Sequence, residues 1–205
     1  MAASDDGAVR LTGPALALLE FGSIAVGLEA ADAMVKRAPL ETVRAGSVQP
    51  GRYLVLIGGD VACVDESLAA GTSVGARALI GTIFLPQVHA AVVRALAGRR
   101  QFERVEALGI IETRTVAAIL GAADAGVKAA EVDLAEIRVA DGLDGKGYAL
   151  FSGSVADVEA AVDAAVASLG EPSLLVERVV IPRFHPEILA NVREGARFGP
   201  LVSGR

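Results

Sequence analysis

Apolar positions in this chain fall into short dense runs, each succeeded by a segment of a different period. "ALALLEF" (15–21) and "ALGIIET" (107–113) are nearly uninterrupted apolar runs, which read as buried strands. Behind each, Ala and Val recur at three- and four-residue spacing, the period of a helix. Ser23 and Thr115 stand where N-caps belong, and Lys36 and Lys128 close the helices, where a cation suits the dipole. "ETVRAGSV" and "DLAEIRVA" alternate, as half-buried strands do. Gly-rich loops lead into "RYLVLIG" and "GYALFSG" as third strands. Asp60 and Ser154 are placed to cap second helices, and Ser154-Val-Ala-Asp157 resembles a capping box. "ALIGTIFL" and "LLVERVVI" read as fourth strands, followed by a short terminal helix.

The chain is therefore written twice. Ala15 opens "ALALLEFGSIAVGLEAADAMVKRA" and Ala107 opens "ALGIIETRTVAAILGAADAGVKAA", with half of the aligned positions identical at a shift of 92. Glu20 pairs with Glu112, Asp32 with Asp124, and Lys36 with Lys128. Two extra residues enter the second copy within "VADGLDGKGY", after which "GRYLVLIGGDVACVDESLAAG" matches "KGYALFSGSVADVEAAVDAAV". "IFLPQVH" and "VVIPRFH" end the copies alike. The period is a domain length, well above the 20–50 residues typical of solenoids. Two homologous domains are expected, 15–96 and 107–192, joined by the polar linker "AGRRQFERVE". The element order βαββαβ predicts an α+β fold of the ferredoxin-like class, with two helices on one face of an antiparallel four-stranded sheet.

Composition narrows the function. Apolar residues make up 53% of the 205 positions and aromatics only 4%, with no Trp, which disfavours an aromatic platform for nucleic acid. A net charge of −6 offers no basic field, so no nucleic-acid partner is expected. The mean hydropathy of +0.50 asks for large buried interfaces. A membrane partner is not expected, because the most apolar stretch contains Glu20, Glu29 and Asp32. The acidic N-terminus lacks a signal-peptide core, so a cytoplasmic protein is expected. One cysteine, Cys63, excludes an internal disulfide framework and a one-chain thiolate metal cage.

The doubled "ALGIIETRTVAAILGAADAGVKAA" pattern, the second-helix start and the terminal "PRFH" closely resemble bacterial microcompartment shell domains. Two in one chain are similar to the tandem-domain shell proteins, nearest to that of propanediol-utilisation microcompartments. The resemblance implies a homotrimer whose six domains form a flat pseudohexameric tile. Other shell proteins, hexameric and pentameric, would meet it at the edges, and encapsulated enzymes are further partners. Duplication supports this reading, since it converts sixfold into threefold symmetry and frees alternate positions to diverge.

The resemblance also locates sites. It implies that the loop Ser47, Val48, Gln49, Pro50 and Gly51 lines a central pore for small polar metabolites. In the propanediol-type tandem proteins that the chain resembles, a Cys at this position helps hold an iron–sulfur cluster. Here the aligned residue is Gln49, and an amide is no substitute for a thiolate, so neither cofactor nor metal is expected. A shell-embedded redox carrier is thus the disfavoured alternative. Three Gln49 side chains would present donors and acceptors without charge. On the residues alone, the same stretch reads as a hairpin turn. The resemblance assigns Lys36, Lys128 and Arg183 to the tile edge, with Gln87 replacing the arginine in the first copy. "GLDGKG" (142–147) lacks a phosphate-loop pattern and joins two strands, so it reads as a reshaped pore wall. His89 and His185 follow Pro in equivalent places without ligand-spaced partners, and read as structural. Cys63 reads as a part-buried residue without a reactive role. Glu20 and Glu112 are too symmetric for an acid–base pair, so no catalytic residue is expected. A ferredoxin-like small-molecule regulator remains a second reading.

Overall fold

A computed structural model describes residues 13–103 and 105–194. The first repeat runs β1 (Ala15–Phe21), α1 (Ile24–Arg37), β2 (Thr42–Val48), β3 (Arg52–Gly59), α2 (Val61–Gly75), β4 (Leu79–Leu85) and α3 (Ala90–Leu96). The second runs β5 (Ala107–Thr113), α4 (Val116–Ala129), β6 (Asp133–Val139), β7 (Gly147–Gly153), α5 (Val155–Ala167), β8 (Leu175–Pro182) and α6 (Pro186–Glu194). Each repeat forms its own antiparallel sheet, ordered β2-β3-β1-β4 and β6-β7-β5-β8. The apolar runs take a central position in each sheet, β1 and β5, where burial from both faces suits them.

The helix starts follow the expected chemistry. The Ser23 hydroxyl accepts from the Val26 amide, Thr115 from Ala118, Asp60 from Ala62 and Cys63, and Ser154 from Asp157. Each satisfies an amide that the first turn leaves without a helical partner. The capping box differs in one respect. The Ser154 hydroxyl donates to the Asp157 carboxylate at 2.6 Å, where a full box would engage the cap's backbone amide.

Strand register corrects the alignment of the third strands. Matching "GRYLVLIGGD" to "KGYALFSGSV" superposes the two tyrosines. In the sheets, however, Tyr53 faces Phe21 and Gly147 faces Thr113. Tyr53 is therefore equivalent to Gly147, and Arg52 to Lys146, with two residues inserted before them. Sheet pairing outweighs a coincident aromatic, because a one-residue slip would turn every core side chain outward.

The two β2-type strands are unequal. β2 is largely exposed after Thr42, whereas Leu134 to Ile137 of β6 are buried. The cover comes from the first repeat: Ala91, Val92 and Ala95 of α3 share a core cluster with Leu134 and Ile137. The linker is not a free spacer either. Phe102 packs on Leu108, Ala135 and Leu150, Arg100 pairs with Glu136, and the Glu103 amide donates to Asp133. Residues leaving the first sheet thus lie on the second.

Candidate functional site

The chain's two repeats meet along a seam, and Glu20 lies at its centre. Glu20 is fully buried at the end of β1. Its Oε1 accepts from Arg52 Nη1 at 2.5 Å, and its Oε2 accepts from the Val116 amide at the start of α4, at 2.8 Å. A carboxylate without water needs both its charge and its lone pairs matched, and these partners supply that. Arg52 continues across the seam, donating to the carbonyls of Gly145 (3.0 Å) and Arg114 (3.3 Å). Glycine is required at 145: its φ is +76°, and a Cβ there would stand 2.6 Å from Arg52 Cζ.

Apolar contact runs beside this network. Gly81 of β4 and Gly121 of α4 let the two elements close up, so that Cβ atoms there would meet Ala117 at 3.3 Å and Ile83 at 3.1 Å. One core cluster unites Leu16, Leu18 and Leu85 of the first repeat with Val116, Leu120 and Val127 of the second. Farther along the seam, the His89 amide donates to Asp124 at 2.8 Å, and Lys128 Nζ donates to the Gln87 carbonyl and to Asp124.

The structure brings some of the sequence-predicted residues together. The Ser47–Gly51 segment is a hairpin tip, with a cis Gln49–Pro50 bond and Gly51 at φ +90°. The Gln49 backbone N–H donates to the Asp141 carboxylate at 3.2 Å, so this tip sits beside its twin, the loop 140–147. That neighbour carries two exposed carboxylates, Asp141 and Asp144. The surroundings of Gln49 are therefore more acidic than the amide by itself suggested.

The three proposed edge residues are differently placed. Lys36 is exposed and pairs with Asp32 at 2.6 Å. Lys128 is held at the seam by Gln87 and Asp124. Arg183 is exposed, at φ +53°. His89 and His185 act alike: each Nδ1 accepts from a backbone amide two residues on, at Ala91 and Glu187. Cys63 lies part-buried on α2, away from the Gln49 hairpin in the chain. Among the described residues no three His, Cys, Asp or Glu side chains gather as metal ligands.

Sequence reasoning missed Arg52 and Lys146. Lys146 Nζ bonds Glu112 Oε1 at 2.5 Å, repeating the Arg52–Glu20 pair. The available signal was a basic residue at the foot of each third strand, which aligning the tyrosines concealed. Near the linker, burial raises the phenol of Tyr148 above its ordinary value; Arg138 opposes this and Glu136 reinforces it.

Two sheets of this topology, capped and repeated in this way, invite comparison with known proteins. A family model described as the BMC domain matches residues 15–88 and again 107–184. The chain belongs to the bacterial microcompartment shell protein family. It is 42% identical over 181 residues to the bacterial microcompartment shell protein PduT of Citrobacter freundii, covering 88% of this chain and 98% of that one. Over 84 residues it is 43% identical to the shell protein EutM of Escherichia coli K12, covering 41% of this chain and 84% of that one. Among solved structures, a microcompartment protein of Desulfitobacterium hafniense DCB is 41% identical at a TM-score of 0.75, covering 87% and 99% of the two chains. A fused permuted hexameric shell protein of the RMM microcompartment, 19% identical at a TM-score of 0.54, shares the fold. This is a structural shell protein with two tandem BMC domains. The family favours neither the regulator reading nor the iron–sulfur carrier. No helix among the described residues is long and apolar enough to cross a membrane.

The two carboxylate–cation pairs differ in burial, and so should their variants. Arg52→Ala leaves Glu20 buried and unpaired, and should cost about 3–5 kcal/mol in urea unfolding. Lys146→Ala affects a pair 41% and 31% exposed and should cost under about 1 kcal/mol in the isolated chain. Equal losses would refute the placement of Glu20 at the heart of the seam.

Proposed function

We propose that three copies of this BMC-domain shell protein close into a ring of six domains that tiles the shell facet and leaves a central opening. One observation carries the reading. Ile24, Leu28 and Val35 on α1 are 43%, 53% and 51% exposed, while their equivalents on α4, Val116, Leu120 and Val127, are 1%, 0% and 8% exposed. α4 is covered by the preceding repeat, but among the described residues no repeat precedes α1. A second copy of the chain supplies one.

The same symmetry assigns the contacts between copies. The Ile24 amide of one copy donates to Glu112 of the next, as Val116 does to Glu20. Asp32 accepts from the His185 amide, as Asp124 does from His89, and Lys36 reaches the Arg183 carbonyl, as Lys128 reaches Gln87. Val179 of β8, 43% exposed, takes the place of Ile83 against the neighbouring helix. Each large aliphatic side chain so buried contributes roughly 1.5–3 kcal/mol.

In this assembly the two domains extend over 15–96 and 107–192, each ending with its short helix. Ser47, Val48, Gln49, Pro50 and Gly51 line the opening, alternating with the loop 140–147. Amides and carboxylates there suit small polar metabolites that are neutral or cationic. The outer rim, with Lys36, Lys128 and Arg183, meets other shell proteins, and one face of the tile meets encapsulated enzymes. The role is structural and not catalytic.

Three experiments test this. Wild-type protein should elute with three times the mass of the 20.9 kDa chain in light-scattering chromatography, and Leu28→Asp should elute as a folded monomer. A trimeric Leu28→Asp protein would remove α1 from the interface. Gln49→Cys, in a Cys63→Ala background, should form disulfides between copies on mild oxidation; their absence would move the loop off the axis. Arg183→Ala, which keeps the backbone carbonyl that Lys36 meets, should suppress sheets in electron micrographs while the trimer persists, and undiminished sheets would refute the edge assignment.

A further inference from the structure

Beyond the seam and the opening, a cavity of about 260 Å³ lies between the end of α3 and β6. Its apolar lining includes Ala95 and Ile137, and its charged lining is Arg99, Arg100, Arg138 and Glu136. Glu136, the single carboxylate among these lining residues, is 4% exposed. Its Oε1 accepts from Arg100 Nη2 at 2.7 Å, and its Oε2 accepts from the Tyr148 hydroxyl at 3.4 Å. Arg138 lies over the Tyr148 ring, 5.6 Å from its centre, and donates to the same hydroxyl at 3.5 Å. The Arg99 side chain has no carboxylate partner among the described residues.

Three arginines and one carboxylate therefore line a partly apolar cavity, in a chain whose net charge is −6. Gathering three like charges is unfavourable unless further negative charge enters. The fold itself does not demand it. In the first repeat the positions of Arg138 and Tyr148 are Gly46 and Leu54, and Arg44 stands in place of Glu136. The linker's Arg99 and Arg100 complete a cluster confined to the second repeat. Glu136 holds Arg100 in one orientation and the Tyr148 ring holds Arg138. Both are thus pre-oriented, and guanidinium forks match the oxygens of a tetrahedral anion.

We propose that this cavity binds a small phosphate dianion, one per chain, either free or as the phosphate group of a metabolite. The two charges left unmatched by Glu136 neutralise the dianion. The volume leaves room beside it for a short organic tail against Ala95 and Ile137.

The test uses tyrosine emission, because the chain has no Trp and only two Tyr, of which Tyr53 is buried in the first repeat. Inorganic phosphate and glycerol phosphate are titrated into the full chain at ionic strength held constant with KCl, by fluorescence and by calorimetry. A saturable change with one site per chain is expected, and Arg99→Gln with Arg138→Gln should weaken it about tenfold or more. Arg99→Gln alone, at an exposed position, should weaken it without disturbing the fold. Tyr148→Phe should keep the calorimetric binding and lose the emission change. Tighter binding of glycerol phosphate supports a metabolite ester, and tighter binding of inorganic phosphate supports the free anion. No saturable heat in the millimolar range, the same response to KCl alone, or wild-type affinity in the double arginine variant would each overturn the proposal.

Discussion

A carboxylate with no access to water has to be matched in charge and in hydrogen bonds, and Glu20 imposes that requirement on the whole chain. One of its oxygens is satisfied within its own repeat by Arg52, and the other by the amide of Val116 at the start of α4. Arg52 then reaches the Gly145 and Arg114 carbonyls of the second repeat. The central strand of the first sheet is thus completed only by the second. The core cluster that crosses from Leu16 and Leu18 to Val116 and Leu120 has the same consequence. The two homologous repeats share a core cluster, and their most buried charge lies where they meet.

This seam also explains why two repeats of one ancestry now differ so much in burial. α4 packs on two sides and is apolar almost throughout, with Val116, Ile119, Leu120 and Val127 all buried. α1 packs on its own sheet through Val26, Ala30 and Met34, and keeps Ile24, Leu28 and Val35 on the surface. In the ring proposed above, another copy of the chain covers these aliphatic side chains as the first repeat covers their twins on α4.

The repeats also differ at the hairpin tip and around β6. The hairpin tip around Gln49 is uncharged, while its longer counterpart carries Asp141 and Asp144. β6 carries Glu136 and Arg138, and β7 adds Tyr148. The linker lies over these residues, bringing Arg99 and Arg100 with it. A segment legible as a polar spacer is instead part of a charged cavity, because Phe102 finds an apolar seat on Leu108, Ala135 and Leu150.

The strands, the helices and the four expected caps could be read from the sequence, because each depends on local spacing: apolar runs, helical periodicity, a short polar residue before the first turn; the sheet class followed from the element order they compose. The repeat was legible for the same reason, through Glu20 and Glu112, Asp32 and Asp124, Lys36 and Lys128. What remained hidden is non-local. Nothing near Glu20 in the chain shows that Val116, 96 residues away, donates to it, or that Arg52 is its counter-ion and Lys146 the counterpart. Nothing near Lys128 shows that it is tied to Gln87 while Lys36 is exposed. Periodicity specifies which face of an element is apolar; what covers that face is decided by the packing of elements far apart in sequence, and here that packing differs between two homologous helices.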